Sequence, residues 1–313
     1  MSAPKSRSMR AAITAIAWGL AIAYAANLAC GSLFLMSTDY AAPLSALRKL
    51  RALEAPVDWI ILGDSTAGNS TRAEFLCPRL GVTCLELSTV ADFSIVENAW
   101  LLELYLMRFP PPSRVLMVES FGTYGVEPAP DILAKGLEVG WGDLGGLEPF
   151  GFARYTRAWW LWLGCRVAPA YFMGQEIAEA IFMRRVSWEH HPAVNTHHWR
   201  EAGYQPLAPA NREALKTIAR LARTRRFAVD IIPAPVSKRI LAEPKDAAIY
   251  DDAAAAVDSF CRLHPEISLI RGLPKSYPQA MMKNGRSLIH SGPRAGDHFS
   301  LRLLRHYRAR LKT

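Results

Sequence analysis

Compact apolar runs alternate with helix-spaced apolar positions along most of this chain. "VDWIIL" (57–62), "VTCLEL" (82–87), "RVLMVES" (114–120), "FAVDIIPAP" (227–235) and "ISLIRGL" (267–273) are short and rich in β-branched residues, as strands buried in a sheet are. Between them lie helical patterns. "SIVENAWLLELYLMRF" (94–109) sets Val96, Trp100 and Leu104 on one face, and "PPP" (110–112) ends it. "NREALKTIARLARTRR" (211–226) turns Leu215, Ile218 and Leu221 to one side. "DAAAAVDSFCRLH" (252–264) and "SLRLLRHYRARL" (300–311) are the later helices. Strand and helix in alternation predict an α/β fold: a doubly wound, flavodoxin-like parallel sheet of five strands with helices on both faces.

Two regions depart from this rhythm. Residues 121–210 are rich in Gly, Pro and aromatic residues and exceed a single crossover, so they read as a helical insertion after the third strand. "AWWLWLGCRVAPAYF" within it can pack on the core as a flap or lie at a membrane interface, where Trp is favoured. At the other end, residues 1–10 carry Lys5, Arg7 and Arg10, and 11–38 contain no charge. A spanning helix needs about 20 apolar residues. The expected arrangement is a cytoplasmic N-terminus (1–10), a transmembrane anchor (11–38), a juxtamembrane helix (39–55) and an extracytoplasmic domain (56–313). A cleaved signal peptide, with "AYAA" as its small-residue site, and a lipoprotein site at Cys30 are the rival readings.

The 313 residues are 50% hydrophobic and carry a formal net charge of +9, enough apolar material for one large core. The positive charges are dispersed, and no nucleic-acid motif accompanies them, so nucleic acid is not an expected partner. Of the five cysteines, Cys77 and Cys84 flank "PRLGVT" and can either close a small loop in an oxidising compartment or remain buried thiols. No CxxC pair is present, and no metal or other cofactor is expected. "HHPAVNTHH" holds His190, His191, His197 and His198 without acidic or thiol ligands at a metal-binding spacing, so a polar loop is the expected role.

The candidate chemistry lies in "ILGDSTAGNS", where the first strand stops at Gly63-Asp64-Ser65. Ligand sites of such sheets lie beyond the carboxyl ends of the strands, which is where Ser65 falls. Ser65 can be a nucleophile there or the cap of the next helix. Asp64 is expected to bond loop N–H groups, and Asn69 to cap a helix or meet substrate. "GDHFS" (296–300) precedes the last helix and is read as a loop at the same edge, bringing His298 to Ser65 as base.

With "DHFS" near its end, "ILGDSTAGNS" resembles the SGNH (GDSL-type) hydrolases, in particular membrane-anchored members similar to D-alanine-transfer and polysaccharide O-acetylation proteins. The resemblance covers roughly 57–125 and 211–311. It implies a serine nucleophile, Ser65, a histidine base, His298, and acyl or acetyl chemistry on esters. It also implies an oxyanion Gly after the second strand, where Ala91 stands and would donate its backbone N–H. The family's Asn after the third strand is replaced by Glu119, Ser120 and Thr123, and the place three residues before His298 holds Ala295, leaving Asp297 as the candidate orienter. The expected activity is cleavage or transfer of an acyl ester on a cell-envelope glycan, with a membrane O-acyltransferase as partner. A non-catalytic glycan- or protein-binding accessory and a lipid-ester hydrolase are the alternatives.

Overall fold

The computed structural model describes residues 5–34, 38–89, 94–125, 160, 163–164, 205–285 and 287–310. Strands are β1 (Trp59–Gly63), β2 (Cys84–Ser88), β3 (Arg114–Glu119), β4 (Ala228–Pro233), β5 (Val236–Ser237), β6 (Ile267–Leu269) and β7 (Ser276–Tyr277). Five of them form one parallel sheet in the order β2-β1-β3-β4-β6. β5 and β7 pair separately, also in parallel.

The described helices, numbered in chain order, are α1 (Lys5–Phe34), α2 (Thr38–Ala52), α3 (Ser65–Ser70), α4 (Ala73–Leu80), α5 (Ser94–Arg108), α6 (Phe121–Tyr124), α7 (Pro209–Arg225), α8 (Lys238–Ala242), α9 (Pro244–Leu263) and α10 (Pro293–Arg310). They cover both faces of the sheet. On one face Ile60, Leu62, Val115, Met117, Val229 and Ile231 meet the apolar sides of α2, α5, α7 and α9. On the other, Trp59, Ile61, Leu116, Val118 and Ile232 meet α3, α4 and α10. Burial on both faces is why β1 reads as an unbroken apolar run, whereas the edge strand β2 alternates, burying Leu85 and Leu87. The parallel α/β layer predicted from the alternation is therefore present.

Proline starts three of the long helices, at Pro209, Pro244 and Pro293, where its missing N–H leaves no helical bond unmade. This moves one expected boundary. "GDHFS" is not a loop before the last helix but lies inside α10, which begins seven residues earlier than the predicted Ser300.

The segment expected to be juxtamembrane falls largely on a helix, α2, docked on the sheet domain. Ala46, Leu47 and Leu50 are buried, Lys49 pairs with Glu86 at 2.8 Å, and Arg108 donates to the carbonyls of Leu50, Arg51 and Leu53 at the α2 C-terminus. The uncharged segment expected to form an anchor falls on α1, but among the described residues no helix is long and apolar enough to cross a membrane. Ile13, Ile16, Trp18, Leu20, Ile22 and Tyr24 on α1 are exposed. Most of the expected insertion, its histidine cluster included, lies outside the described residues.

Cys77 and Cys84 form a disulfide that ties α4 to β2, with Cα atoms 6.1 Å apart. The bond closes a short loop, so its removal is expected to lower stability by about 2–3 kcal/mol. Urea denaturation of the Cys77→Ser/Cys84→Ser protein should show a lower midpoint.

Candidate active site

Ser65 sits where the chain turns from β1 into α3. Gly63 makes the turn possible: a Cβ there would lie 2.2 Å from the Val118 carbonyl oxygen and 2.5 Å from the Ala67 Cβ. Asp64 is the N-cap of α3, its Oδ1 accepting from the Thr66 N–H at 2.7 Å. The capping role thus belongs to Asp64, and Ser65 is the first helical residue with its hydroxyl unused by the helix. Asn69, one turn on, donates its amide to the Ser65 carbonyl at 2.5 Å.

The hydroxyl meets a histidine that the sequence reading passed over. Ser65 Oγ lies 2.9 Å from Nε2 of His290, so a neutral imidazole can accept its proton. His290 belongs to the short connection before α10, and that connection is fixed on several sides. The His290 N–H donates to Ser287 Oγ at 2.9 Å, and the His290 carbonyl accepts from the Lys283 N–H at 2.8 Å. Ser291 pairs with Met282 in an antiparallel bridge and accepts a hydrogen bond from Ser70 Oγ at 3.0 Å. Gly292 brings its N–H to the Met281 carbonyl at 2.9 Å, and a Cβ on it would crowd the same oxygen. Burial lowers the His290 pKa, the Asp64 carboxylate raises it, and Lys283 lowers it. The net shift is downward, which keeps the ring neutral, the form that a general base requires.

His298, the base predicted from the sequence, is elsewhere. It lies in α10, with Nδ1 2.8 Å from the Tyr277 hydroxyl and the two rings edge to face. Asp297 is exposed and faces Arg72 across 3.5 Å. Because α10 begins at Pro293, both residues are carried along the helix, and the residue left at its mouth is His290. Proline at the first helical position was the available signal, since it makes the residues just before it the loop. Ala91 lies outside the described residues. Of the predicted group, the structure gathers Asp64, Ser65 and Asn69 at one turn.

Beneath the turn is a buried polar network. Asp64 Oδ2 accepts from Thr123 Oγ1 at 2.8 Å, and Oδ1 also accepts from the Thr66 hydroxyl. The Asp64 N–H donates to Glu119 Oε2 at 3.2 Å, and Asn98 Nδ2 donates to Glu119 Oε1 at 2.5 Å. Asp64, Thr66, Asn98, Glu119 and Thr123 are all buried. Burial, followed by the charge of Asp64, pushes the Glu119 carboxyl well above the ordinary carboxylate range. Glu97, beside Asn98 on α5, is also buried, and desolvation pushes it up to about 8. Glu119 was visible in the sequence only as a departure after β3. Its link to Asp64 depends on the register, which sets Gly63 opposite Val118 and so brings the next residues of β1 and β3 level.

No protein-family model and no curated protein sequence matches this chain.

Proposed function

We propose that this protein is a serine-dependent acyl-ester hydrolase or acyltransferase of the SGNH (GDSL-type) kind, acting on acetyl or other acyl esters of a cell-envelope glycan. The observation that carries this reading is the 2.9 Å approach of Ser65 Oγ to His290 Nε2 at the carboxyl edge of a parallel sheet. Ser65 would attack the ester carbonyl while its proton passes to Nε2 of His290. The resulting tetrahedral intermediate would expel the alcohol, which takes the proton from His290 and leaves an acyl group on Ser65 Oγ. Water or a sugar hydroxyl would then lose its proton to Nε2 and attack the acyl carbon, and Ser65 would leave reprotonated. Backbone N–H groups around Ser65, and that of Ala91, are the proposed oxyanion donors.

Two features support an extracytoplasmic setting. The Cys77–Cys84 disulfide suits an oxidising compartment. The row of exposed apolar side chains on α1, following the basic N-terminal residues, suits association with a membrane. The docked helix α2 would then hold the catalytic edge at a set orientation to that membrane. A membrane O-acyltransferase that supplies or receives the acyl group is the proposed partner, resting on the resemblance alone.

The substrate class is tested by release assays. Acetate released from an O-acetylated envelope polysaccharide, and lost on Ser65→Ala, supports the reading. Release of fatty acid from lipid esters in its place would move the protein to a lipid-ester hydrolase, and no release from either would favour a binding accessory. The pH profile is a further expectation. Because the His290 pKa is lowered, the base is neutral at and somewhat below pH 6.5, the ordinary histidine value. The labelling rate of Ser65 by a fluorophosphonate should therefore hold at pH 6.5 and fall only on further acidification, as the imidazole protonates.

A further inference from the structure

The buried carboxyl groups behind Ser65 are not consumed by the proposed reaction, yet they are built into the turn that presents the nucleophile. We propose that Asp64 and Glu119 act as one acid pair holding a single proton, on Glu119, which leaves Asp64 as the fixed anion facing His290 and makes both positioning residues for the Ser65–His290 pair. This deepens the proposed function and rests on it.

The donor count locates the charge. Asp64 accepts from the Thr66 N–H, the Thr66 hydroxyl and the Thr123 hydroxyl, three donors directed at its two oxygens. Glu119 accepts from Asn98 and from the Asp64 N–H, two donors, and the second of these bonds holds its carboxyl group against Asp64. Both residues are fully buried. Two neighbouring carboxylates shut away from solvent strongly disfavour both being ionised, so the pair retains a proton. The carboxyl group with three donors is the better anion, and the other becomes the acid.

His290 supplies the reason for such a pair. Among the described residues no carboxylate is hydrogen-bonded to it, and the acidic charge acting on its ring is that of Asp64. When His290 takes the Ser65 proton, an anion at Asp64 stabilises the imidazolium. A proton on Glu119 keeps that anion in place without a second charge repelling it. The titratable and charged groups around the pair are Glu97 on α5, Tyr124 on α6, and His290 with Lys283 on the segment before α10. These are common to the natural protein and to a Glu119 variant, so comparing the two cancels them to first order.

The test uses the full chain and has two readouts. The first is the ratio of folding equilibrium constants, Glu119→Gln over the natural protein, measured by urea denaturation from pH 5 to 7. A Glu119 pKa raised on folding gives stability that is present below the unfolded value and lost as pH rises. Glutamine carries no such dependence, so the ratio should rise about tenfold per pH unit in favour of the variant. A ratio that does not change with pH means that Glu119 is ionised in the folded protein, and overturns the pair. The second readout is the acid limb of fluorophosphonate labelling at Ser65. Asp64→Asn, which keeps a capping oxygen, should move the limb to lower pH by about one unit, and Glu119→Gln by less than about a third of a unit. Equal shifts overturn the placement of the anion on Asp64. Absence of labelling in the natural protein would end the Ser65–His290 reading, while the folding ratio would still decide whether the pair keeps a proton.

Discussion

Replacing Ser65 by alanine is expected to abolish labelling by a fluorophosphonate probe and to remove ester hydrolysis above the uncatalysed rate. His290→Ala should lower the hydrolysis rate by about 10³-fold, the middle of the range for a positioned general base. The reason is geometric. The serine hydroxyl becomes a competent nucleophile only when a base within hydrogen-bond reach takes its proton, and His290 Nε2 at 2.9 Å is placed to do so. His298→Ala is the informative control, because that ring is engaged with Tyr277. It should leave the rate within about threefold of the natural protein, well short of the 10²–10⁴-fold contribution of a general base. A Ser65→Ala/His290→Ala double variant no slower than Ser65→Ala, with His298→Ala active, would identify the pair that works as a unit.

The second large effect concerns stability at the opposite end of the sheet. Asp230 on β4 is buried on the face covered by α10, where it pairs with Arg114 of β3 and accepts from the Tyr307 hydroxyl at 2.8 Å. Arg310 approaches to 4.0 Å. Asp230→Ala would leave the Arg114 guanidinium without this partner and the buried Tyr307 hydroxyl without an acceptor. Breaking a buried pair from one side is expected to lower stability by about 3 kcal/mol, with Asp230→Asn less severe because an acceptor remains for Tyr307. Urea denaturation monitored by tryptophan fluorescence measures both. Labelling of Ser65 per folded molecule should not change, since Asp230 lies towards the amino end of the strands and Ser65 beyond their carboxyl end.

The sheet was legible because strands buried on both faces, such as "VDWIIL" and "RVLMVES", are short apolar runs between helical patterns. Ser65 was legible for the same reason: a strand that stops at Gly-Asp-Ser delivers the serine to the carboxyl edge. His290 was missed through a helix boundary. Apolar spacing suggested a last helix from Ser300, whereas Pro293 starts α10 earlier and carries Asp297 and His298 away from the edge. The Asp64–Glu119–Asn98 network was beyond the sequence altogether. It joins β1, β3 and α5 across 21 and 55 residues of chain, and only strand register and helix docking bring them together.

The central claim is that Ser65 is a nucleophile activated by His290. The most direct measurement is peptide mapping by mass spectrometry after treating the full-length protein with a fluorophosphonate. The account predicts one adduct, on the peptide containing Ser65, absent in Ser65→Ala and strongly reduced in His290→Ala. No adduct, an adduct on another serine, or labelling of Ser65 undiminished by His290→Ala would contradict it.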